Sequence, residues 1–416
     1  INSSSFIYRE SGINGIIEIS RMSRLPPLQA SIITPGTAVS SMEEADAIAE
    51  DILIPAKKDD NEGEKNTQEL IASDRGGMVL QPQPGIYENV YEIDFSSMYP
   101  SIIVEYGLSI GNGHFLSRSL KKLLEKRLLY KKIDSRSETY HNRNTALKWM
   151  LLTSFGYTGY KNAKFGKIEI HEKITGTGRK ILADAIRISQ ENGFEIIHGI
   201  VDSLWIKGDG NINNVLSEIK RTTRIDIVVS GHYKWIVFLP ERGGLGSPSR
   251  YFGLGYDGKY KVRGIDLRRN DVPQLSKKFQ IDALKILEGC NNELDLYSKY
   301  KEIKNLESRY IRNMRKFPPD DFTVEMKVSR YPEYYATNTI NKHVIEKYIK
   351  DNETHPGNTI RYIVSDHARK IVGFGNNTSI DYAFYMRYLT RAFEPFDFIY
   401  KNVVRKSRLE DFQPFL

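Results

Sequence analysis

Apolar residues along this chain follow two spacings, one typical of buried strands and the other of amphipathic helices. Nearly continuous apolar runs surround Asp94 (YEIDFSSMYPSII) and Asp202 (FEIIHGIVDSLWIK), and both patterns predict short strands that end at a turn. Helical spacing begins after residue 112, where Phe115 to Ile133 predicts one amphipathic helix and Thr145 to Ser154 a second. The short polar break between these helices predicts an antiparallel helical hairpin.

The same pattern predicts further elements on either side of these stretches. Before the Asp94 strand they are β-like runs within residues 1–55 (GIIEIS and SIITPG) and a helix from Ser41 to Asp51. After the hairpin they are a glycine–aromatic turn at FGYTGY (155–160), then a strand over 165–172 and a helix to about Asn192. Arg250 opens another strand, and from Asp271 onward the chain is predicted to be mainly helical apart from TIRYIVSD. At 416 residues the chain is long enough for two to four subdomains.

Two aspartates are the candidate metal ligands. Asp94 ends its strand before a turn of small polar residues, and Asp202 lies at the tight turn between two β-rich arms. Mg²⁺ prefers one or two carboxylates together with substrate phosphates and water, so a pair of such aspartates suits a magnesium site. Each aspartate alone is more simply explained as a turn or cap residue, and the hypothesis therefore depends on both stretches occurring in this order.

Composition and charge favour a polyanionic partner. The net charge is +8, although a ribosome-binding or simply basic protein has the same balance. The 25 tyrosines and 18 phenylalanines suit stacking on nucleic-acid bases. The single cysteine, Cys290, excludes an internal disulfide and a cysteine-based zinc site. No apolar run of about 18 residues predicts a membrane span, and no signal peptide is visible.

Basic residues of the helical hairpin are candidate ligands for phosphates. Arg127 and Lys131 are four residues apart and share one helix face, whereas Lys121 and Lys122 fit an ordinary solvated face. Lys148 has apolar neighbours (ALKWMLL), so we expect its charge to need a specific partner, which a triphosphate would provide.

Three glycines are candidates for close approach to nucleic acid. Gly76 and Gly77 follow Arg75, and a glycine pair beside an arginine lets the backbone approach a phosphate, although a hairpin turn explains the same spacing. Gly156 lies in FGYTGY, where backbone and ring faces can meet a base pair; a β-turn with core aromatics is the alternative.

With these motifs in this order, the chain resembles the family B DNA polymerases of the archaeal and bacterial branch. DFSSMYPSII resembles the first polymerase motif and HGIVDSLW the third, and the resemblance covers nearly the whole chain. It implies an α+β right-hand polymerase with an antiparallel-sheet palm, helical-hairpin fingers and a mainly helical thumb. The implied domains are the N-terminal part of the palm (1–112), the fingers (113–160), the rest of the palm (161–270) and the thumb (271–416).

The resemblance also implies roles for individual residues. Asp94 and Asp202 are catalytic metal ligands, and Phe95 adds a backbone carbonyl. The nucleotide-binding residues are Tyr99, which excludes ribonucleotides as a sugar gate, and Arg127, Lys131, Lys148 and Phe155. The DNA-binding residues are Arg75, Gly76, Gly77 and Gly156, together with Arg250, Tyr251, Lys261 and Arg263, which resemble the segment that grips the primer terminus.

Several positions depart from the family pattern. Ile200 stands where the third motif has its first aspartate, and Leu152 and Phe155 replace the asparagine and tyrosine of the second motif. Ser249 stands where a primer-contacting lysine is usual, and Asp74 where an aromatic precedes the glycine pair. The family's exonuclease domain has no counterpart in this sequence; it is expected in a preceding segment, in a separate subunit, or not at all.

The implied function is template-directed DNA synthesis with two Mg²⁺ ions, or Mn²⁺ as an alternative, on primer–template DNA with dNTPs. We expect a cytoplasmic, nucleoid-associated prokaryotic protein that acts in replication or repair. One alternative is a catalytically weakened, polymerase-like scaffold that binds DNA, and another is an RNA-making enzyme, against which Tyr99 argues. Leu409 and Phe412 near the C-terminus are spaced as in sliding-clamp peptides, although a frayed amphipathic tail explains them better.

Overall fold

The computed structural model describes residues 6–55, 66, 67, 76–108, 115–133, 137–160, 162–335, 337 and 339–412. The chain divides into two compact units. The first contains the described residues up to Leu80 together with Glu92–Ser230, and the second contains Gln81–Tyr91 together with the chain from Gly231 onward. Arg75, Asp74 and the side chains of Leu409 and Phe412 lie outside the described part, so the predictions made for them stay predictions.

The first unit combines strands with a set of packed helices. Its strands are β1 (Val79–Leu80), the end of β2 (Gly85–Phe95), β3 (Glu195–Ile200), β4 (Ser203–Lys207) and the start of β5 (Ile227–Pro240). Its helices are α1 (Phe6–Ser23), α2 (Pro27–Ile32), α3 (Pro35–Ala49), α4 (Met98–Glu105), α5 (Phe115–Ile133), α6 (Glu138–Thr158), α7 (Ile168–Glu191) and α8 (Ile212–Thr223). The strand order is β1-β3-β4-β2, with β1–β3 and β3–β4 antiparallel.

The second unit is built on the other parts of β2 and β5. It adds β6 (Gly246–Gly255) and β7 (Tyr260–Arg263) in the order β2-β5-β6-β7, and a separate antiparallel sheet of β8 (Val324–Lys327), β9 (Thr359–Asp366) and β10 (Ile371–Gly373). Its α-helices are α9 (Gln274–Leu287), α10 (Glu293–Ser298), α11 (Tyr300–Arg312), α12 (Ile340–Tyr348) and α13 (Tyr382–Phe412); its short 3₁₀ helices span Asp266–Arg268, Met314–Lys316, Pro319–Phe322 and Pro332–Tyr334. Helix α13 packs against α9, α10 and α11 over an apolar core that includes Phe279 and Phe396, and Cys290 is buried in the same core.

Several predicted elements are confirmed. The helix Phe115–Ile133 has the predicted bounds, and the two arms around Asp202 form the antiparallel hairpin of β3 and β4. The extended piece TIRYIVSD is β9, although β8 and β10 show that the C-terminal part contains more strand than predicted. Among the described residues, none of the helices is both long and apolar enough to span a bilayer.

The prediction of β-like runs before residue 55 is wrong. GIIEIS belongs to α1 and SIITPG is divided between α2 and α3. Short β-branched runs are compatible with either a strand or a buried helix segment, and here packing decides, because Ile16 and Ile19 are buried one helical turn apart. Gly15 on the same helix leaves room for the Ser11 side chain one turn earlier, since an added Cβ would lie 1.8 Å from the Ser11 Oγ.

Two predictions around the hairpin are also wrong. Residues 165–172 are not a strand, since α7 begins at Ile168. FGYTGY is not an isolated turn: α6 extends from Glu138 to Thr158, well beyond the predicted Thr145–Ser154, and FGYT forms its last turn. A glycine costs a helix only about 1 kcal/mol, which a long packed helix tolerates.

A buried carboxylate joins the helices of the first unit. Glu18 on α1 is completely buried, and its oxygens lie 2.5 Å from Lys126 Nζ on α5 and 3.9 Å from Arg143 Nε on α6. The Tyr130 hydroxyl donates a hydrogen bond of 3.3 Å to the same carboxylate. The charge of Glu18 is therefore compensated by both helices of the hairpin, which fixes α1 on them.

We expect Glu18→Ala to lower the free energy of unfolding of the first unit by about 3–5 kcal/mol, because the partly buried Lys126 and Arg143 would lose their buried partner. Urea unfolding, with amide hydrogen exchange in α1, α5 and α6, measures the effect. The control is Glu125→Ala on α5, whose pair with Lys121 is 4.0 Å long and exposed on both sides, and which should change stability by less than about 0.5 kcal/mol. Equal effects of the two substitutions would contradict a structural role for Glu18.

Candidate active site

The two candidate metal ligands lie on neighbouring segments of the first unit. Strand β2 ends one residue after Asp94, and the Phe95 N–H donates a hydrogen bond of 2.8 Å to the Asp202 carbonyl. The Ser203 hydroxyl, next to Asp202, donates a bond of 2.7 Å to Asp94 Oδ1. The sheet thus brings together the two aspartates that the sequence placed 108 residues apart.

The turn that carries Asp202 is strained. Ile200 pairs with Ser203 across the hairpin, so Val201 and Asp202 form a two-residue turn, and Val201 has a φ of 55°. A β-branched residue in the left-handed region costs on the order of 1–3 kcal/mol and persists only where the surroundings impose it. Part of that support is His198, which is fully buried, stacks on Trp205 at 4.8 Å and has Nδ1 2.7 Å from the Leu80 carbonyl.

The two carboxylates repel each other. Burial, and next the charge of Asp94, raise the pKa of Asp202 to about 6, while Lys148 and the Ser203 hydroxyl act in the opposite direction. A divalent cation would relieve this repulsion, so the pair fits the metal that the resemblance implies. The described residues contain no group of three or more His, Cys, Asp or Glu side chains that could hold a metal, so carbonyls, phosphates or water would have to complete the coordination.

The prediction that the charge of Lys148 needs a specific partner because its neighbours are apolar is wrong. The side chain is exposed, and its apolar neighbours Ala146, Leu147 and Met150 are buried on the other side of α6. Its charge is therefore hydrated and needs no buried partner, although it acts electrostatically on Asp202. Leu152, four residues further on, is also exposed on this helix.

The other residues predicted to bind the triphosphate differ in exposure. Arg127 is partly buried, and its guanidinium donates to the Ser97 hydroxyl in the turn after Asp94. Ser97 has a φ of 52° at the start of α4. Lys131, one helical turn beyond Arg127, is exposed. The structure thus connects Arg127, but not Lys131, with the turn that follows Asp94.

Three aromatic rings are stacked beside the aspartates. Tyr99 on α4 lies on Phe155 of α6, with ring centroids 4.2 Å apart and planes 18° from parallel. Phe155 in turn lies on His171 of α7, at 4.6 Å and 19°. No motif pointed to His171, because the pattern of residues 165–172 predicted a strand rather than the helix that carries this histidine.

The glycine pair lies against the same group of residues. Arg179 on α7, to which the sequence assigned no role, donates from Nη1 to the Gly76 carbonyl at 2.8 Å. A Cβ on Gly77 would lie 2.7 Å from a methyl group of Val201 and 3.0 Å from the Tyr99 hydroxyl. Gly77 is therefore required for close packing, whatever it contacts in addition.

The residues predicted to grip the primer belong to the second unit. Arg250 Nη1 donates to the Pro240 carbonyl at 3.0 Å. Tyr251 is buried, with its ring 5.3 Å from that of Phe238. Lys261 is partly exposed and Arg263 exposed. Their contact with DNA stays a prediction, and for Tyr251 the burial of the ring leaves little surface for it.

Comparison with known proteins gives the family. The family model described as DNA polymerase family B matches residues 38–112 and 244–400, which together make up more than half of the chain. The chain belongs to DNA polymerase family B. The matched segments include Asp94, while the unmatched segment between them, residues 113–243, contains Asp202 and most of the departures from the family motifs.

Archaeal DNA polymerases are similar over most of the chain. DNA polymerase 2 of Saccharolobus solfataricus is 32% identical over 331 residues, which cover 75% of this family B chain and 51% of the relative. The DNA polymerase of Archaeoglobus fulgidus is 27% identical over 318 residues, covering 69% of this chain and 38% of the relative. The chain therefore spans about half or less of the length of these relatives.

A solved structure has the same fold. The family B DNA polymerase of Pyrobaculum calidifontis superimposes with a TM-score of 0.62 at 22% sequence identity, over 93% of this chain and 53% of that one. This family B chain therefore has the α+β architecture with an antiparallel sheet that its sequence predicted.

We expect opposite effects on stability from alanine at Gly77 and at Gly156. Gly77→Ala forces Val201 or Tyr99 to move and should cost about 1–3 kcal/mol. Gly156 lies within α6, and apart from its chain neighbours and the nearby backbone of this helix no described atom is within 4 Å of the Cβ position, so Gly156→Ala should stabilise the protein by about 0.5–1 kcal/mol through helix propensity. Thermal unfolding of the two variants tests this; a stabilised Gly77→Ala would contradict the packing described here.

Proposed function

We propose that this chain is a template-directed DNA polymerase, which adds deoxynucleotides to a primer 3′ end by two-metal nucleotidyl transfer in DNA replication or repair. The observation that carries the proposal is the pairing of Asp94 with Asp202, held by the bonds from Phe95 and Ser203 in a place where burial, and next the charge of Asp94, raise the pKa of Asp202. Membership of DNA polymerase family B supports the same conclusion.

The metal ligands would be Asp94 and Asp202 with the backbone carbonyl of Phe95. Two bound Mg²⁺ ions, or Mn²⁺, would stabilise the attacking and leaving oxygens of the transfer. The protein supplies the rigidity of the site. The Ser203 hydroxyl orients the Asp94 carboxylate, and the strained turn at Val201 holds Asp202 at the end of the hairpin.

The incoming nucleotide would lie along the exposed side of α6. Lys148, Arg127 and Lys131 would neutralise the charge that develops on the β- and γ-phosphates. Tyr99, with Phe155 behind it, would exclude a 2′-hydroxyl by steric overlap. On this proposal residues 113–160 are the fingers, which close on the nucleotide, 1–112 and 161–270 form the palm, and 271–416 form the thumb.

Duplex DNA would be held without recognition of its sequence. Arg250, Lys261 and Arg263 would contact phosphates. Gly76, Gly77 and Gly156 would allow backbone to approach the DNA. An exonuclease activity and a sliding clamp are the further partners that the family resemblance suggests.

A second function is favoured by two features of the site. Ile200 stands where a further carboxylate is usual, and Leu152 presents an apolar side chain, 51% exposed, on the side of α6 that carries Lys148. Both changes weaken a nucleotide site more than a DNA-binding surface. The alternative is therefore a polymerase-like scaffold that binds primer–template DNA and adds nucleotides poorly.

Primer extension with Mg²⁺, and separately with Mn²⁺, distinguishes the two functions. We expect the parent to extend a primed template, and Asp94→Ala and Asp202→Ala each to reduce extension at least about a hundredfold, because each removes charge that holds the metals. The control is Asp184→Ala, which removes a carboxylate 3.8 Å from Arg187 on the surface of α7 and should extend like the parent.

Extension by Asp202→Ala equal to that of the parent would refute the two-carboxylate site. Tight DNA binding by the parent without extension in either metal would favour the scaffold.

Gly156→Ala separates a functional from a structural role of this glycine. Because the added methyl group meets no described atom but would point toward a bound base pair, we expect kcat/KM for dNTP to fall about tenfold to a hundredfold in a protein at least as stable as the parent. Gly289→Ala, at another open glycine in the second unit, is the control and should leave extension unchanged. Unchanged extension by Gly156→Ala would show that no substrate approaches this part of α6.

A further inference from the structure

His171 ends the stack of three rings that begins at Tyr99. The stack runs from α4 through α6 to α7, and its two centroid distances of 4.2 and 4.6 Å and near-parallel planes show continuous contact. Such offset aromatic contacts add stabilisation beyond the area they bury. The orientation of Tyr99 therefore depends on what lies behind Phe155.

The imidazole is held in place by a hydrogen bond. The Thr158 hydroxyl donates to the Phe155 carbonyl at 2.6 Å and lies 3.0 Å from His171 Nδ1. A hydroxyl has one hydrogen, so with that hydrogen on the carbonyl the oxygen accepts from Nδ1–H. Thr158 is 2% exposed, so this bond is protected from water. Phe155 has no polar group on its ring, so the hydrogen bond behind it is made by His171.

Two glycines provide the space in which the stack fits. A Cβ on Gly159 would lie 2.9 Å from His171 Cγ, so the bare backbone at the end of α6 is needed for the imidazole to lie there. A Cβ on Gly178 of α7 would lie 3.0 Å from Tyr99 Cε1, which places the backbone of α7 against the Tyr99 ring. Helix α7 thus contacts Tyr99 directly through Gly178 and supports Phe155 through His171.

We propose that His171 is a positioning residue for substrate selection: by backing Phe155 it holds Tyr99 in the orientation that rejects a 2′-hydroxyl, and so sets the preference for deoxyribonucleotides over ribonucleotides. The inference rests on the proposed polymerase function. His171 touches Phe155 rather than Tyr99 and acts through that ring. A loosened stack lets Tyr99 tilt, which reduces the steric penalty for a ribose without removing the ring itself.

Three substitutions separate stacking from hydrogen bonding. His171→Ala removes both, His171→Asn keeps a donor but no ring, and His171→Phe keeps a flat ring without the donor. We expect the ratio of kcat/KM for dNTP to that for the matching rNTP to fall about threefold to tenfold in His171→Ala and His171→Asn, the factor that loss of one aromatic contact corresponds to. His171→Phe should restore the ratio to within about twofold of the parent.

A matched control and a measurement without chemistry complete the test. His367→Ala removes another stacked histidine, 4.9 Å from Phe384 in the second unit, and should leave the ratio unchanged. Binding of dNTP and rNTP to the protein on a dideoxy-terminated primer–template should show the same change in preference as the kinetics. Thermal unfolding identifies a variant that fails to fold. If His171→Ala or His171→Asn fails to fold, the ratio measured for His171→Phe tests the role of stacking, because this variant preserves the packing volume best.

The outcomes are distinguishable. A parent that binds and incorporates neither nucleotide would overturn the proposed function, and the inference with it. A parent that discriminates normally while His171→Ala and His171→Asn keep its ratio would overturn only the role of His171. Failure of His171→Phe to restore a reduced ratio would overturn the stacking explanation.

Discussion

The repulsion between Asp94 and Asp202 is the constraint on which the site depends. Burial and this repulsion raise the pKa of Asp202 to about 6, so the fold holds the two side chains in an unfavourable arrangement. The backbone bond from Phe95 to Asp202 and the bond from Ser203 to Asp94 oppose it, while the positive φ of Val201 adds a further local cost. Unfavourable electrostatics combined with backbone strain is typical of sites built for a ligand rather than for stability.

The helices around this site owe their arrangement to a different interaction. Glu18 is buried at the contact of α1 with α5 and α6, where Lys126 and Arg143 compensate its charge. Helix α6 also presents Lys148 to solvent and Phe155 to Tyr99. One face of this helix is therefore fixed by packing and a buried charge, which leaves the other available for a substrate. A rigid element that carries exposed functional groups is the arrangement that positioning requires.

The parts of the fold that the sequence predicted are those with a strong local signal. Phe115–Ile133 has clear helical spacing, and the hairpin around Asp202 has two apolar arms and a short turn. GIIEIS and residues 165–172 were predicted as strands because short β-branched runs carry no decisive period, and their helical state depends on partners far away in the chain. The two aspartates could be predicted because each lies in a recognisable local motif. The roles of Glu18, Arg179 and His171 depend on tertiary contacts, which no local motif indicates. Lys148 was predicted to need a buried partner because its neighbours in sequence are apolar. It is exposed, because on a helix those neighbours lie on another side from Lys148.

The divergence of the central segment is compatible with a conserved geometry. The family model does not match residues 113–243, yet this segment supplies Asp202 beside Asp94 and Phe155 beside Tyr99. Phe155 has no hydroxyl on its ring, and the ring is enclosed face to face between Tyr99 and His171. Stacking on both faces restricts the tilt of a ring that makes no hydrogen bond of its own. His171 lies on a different helix from Phe155, so this contact follows from the tertiary structure and not from the linear motif.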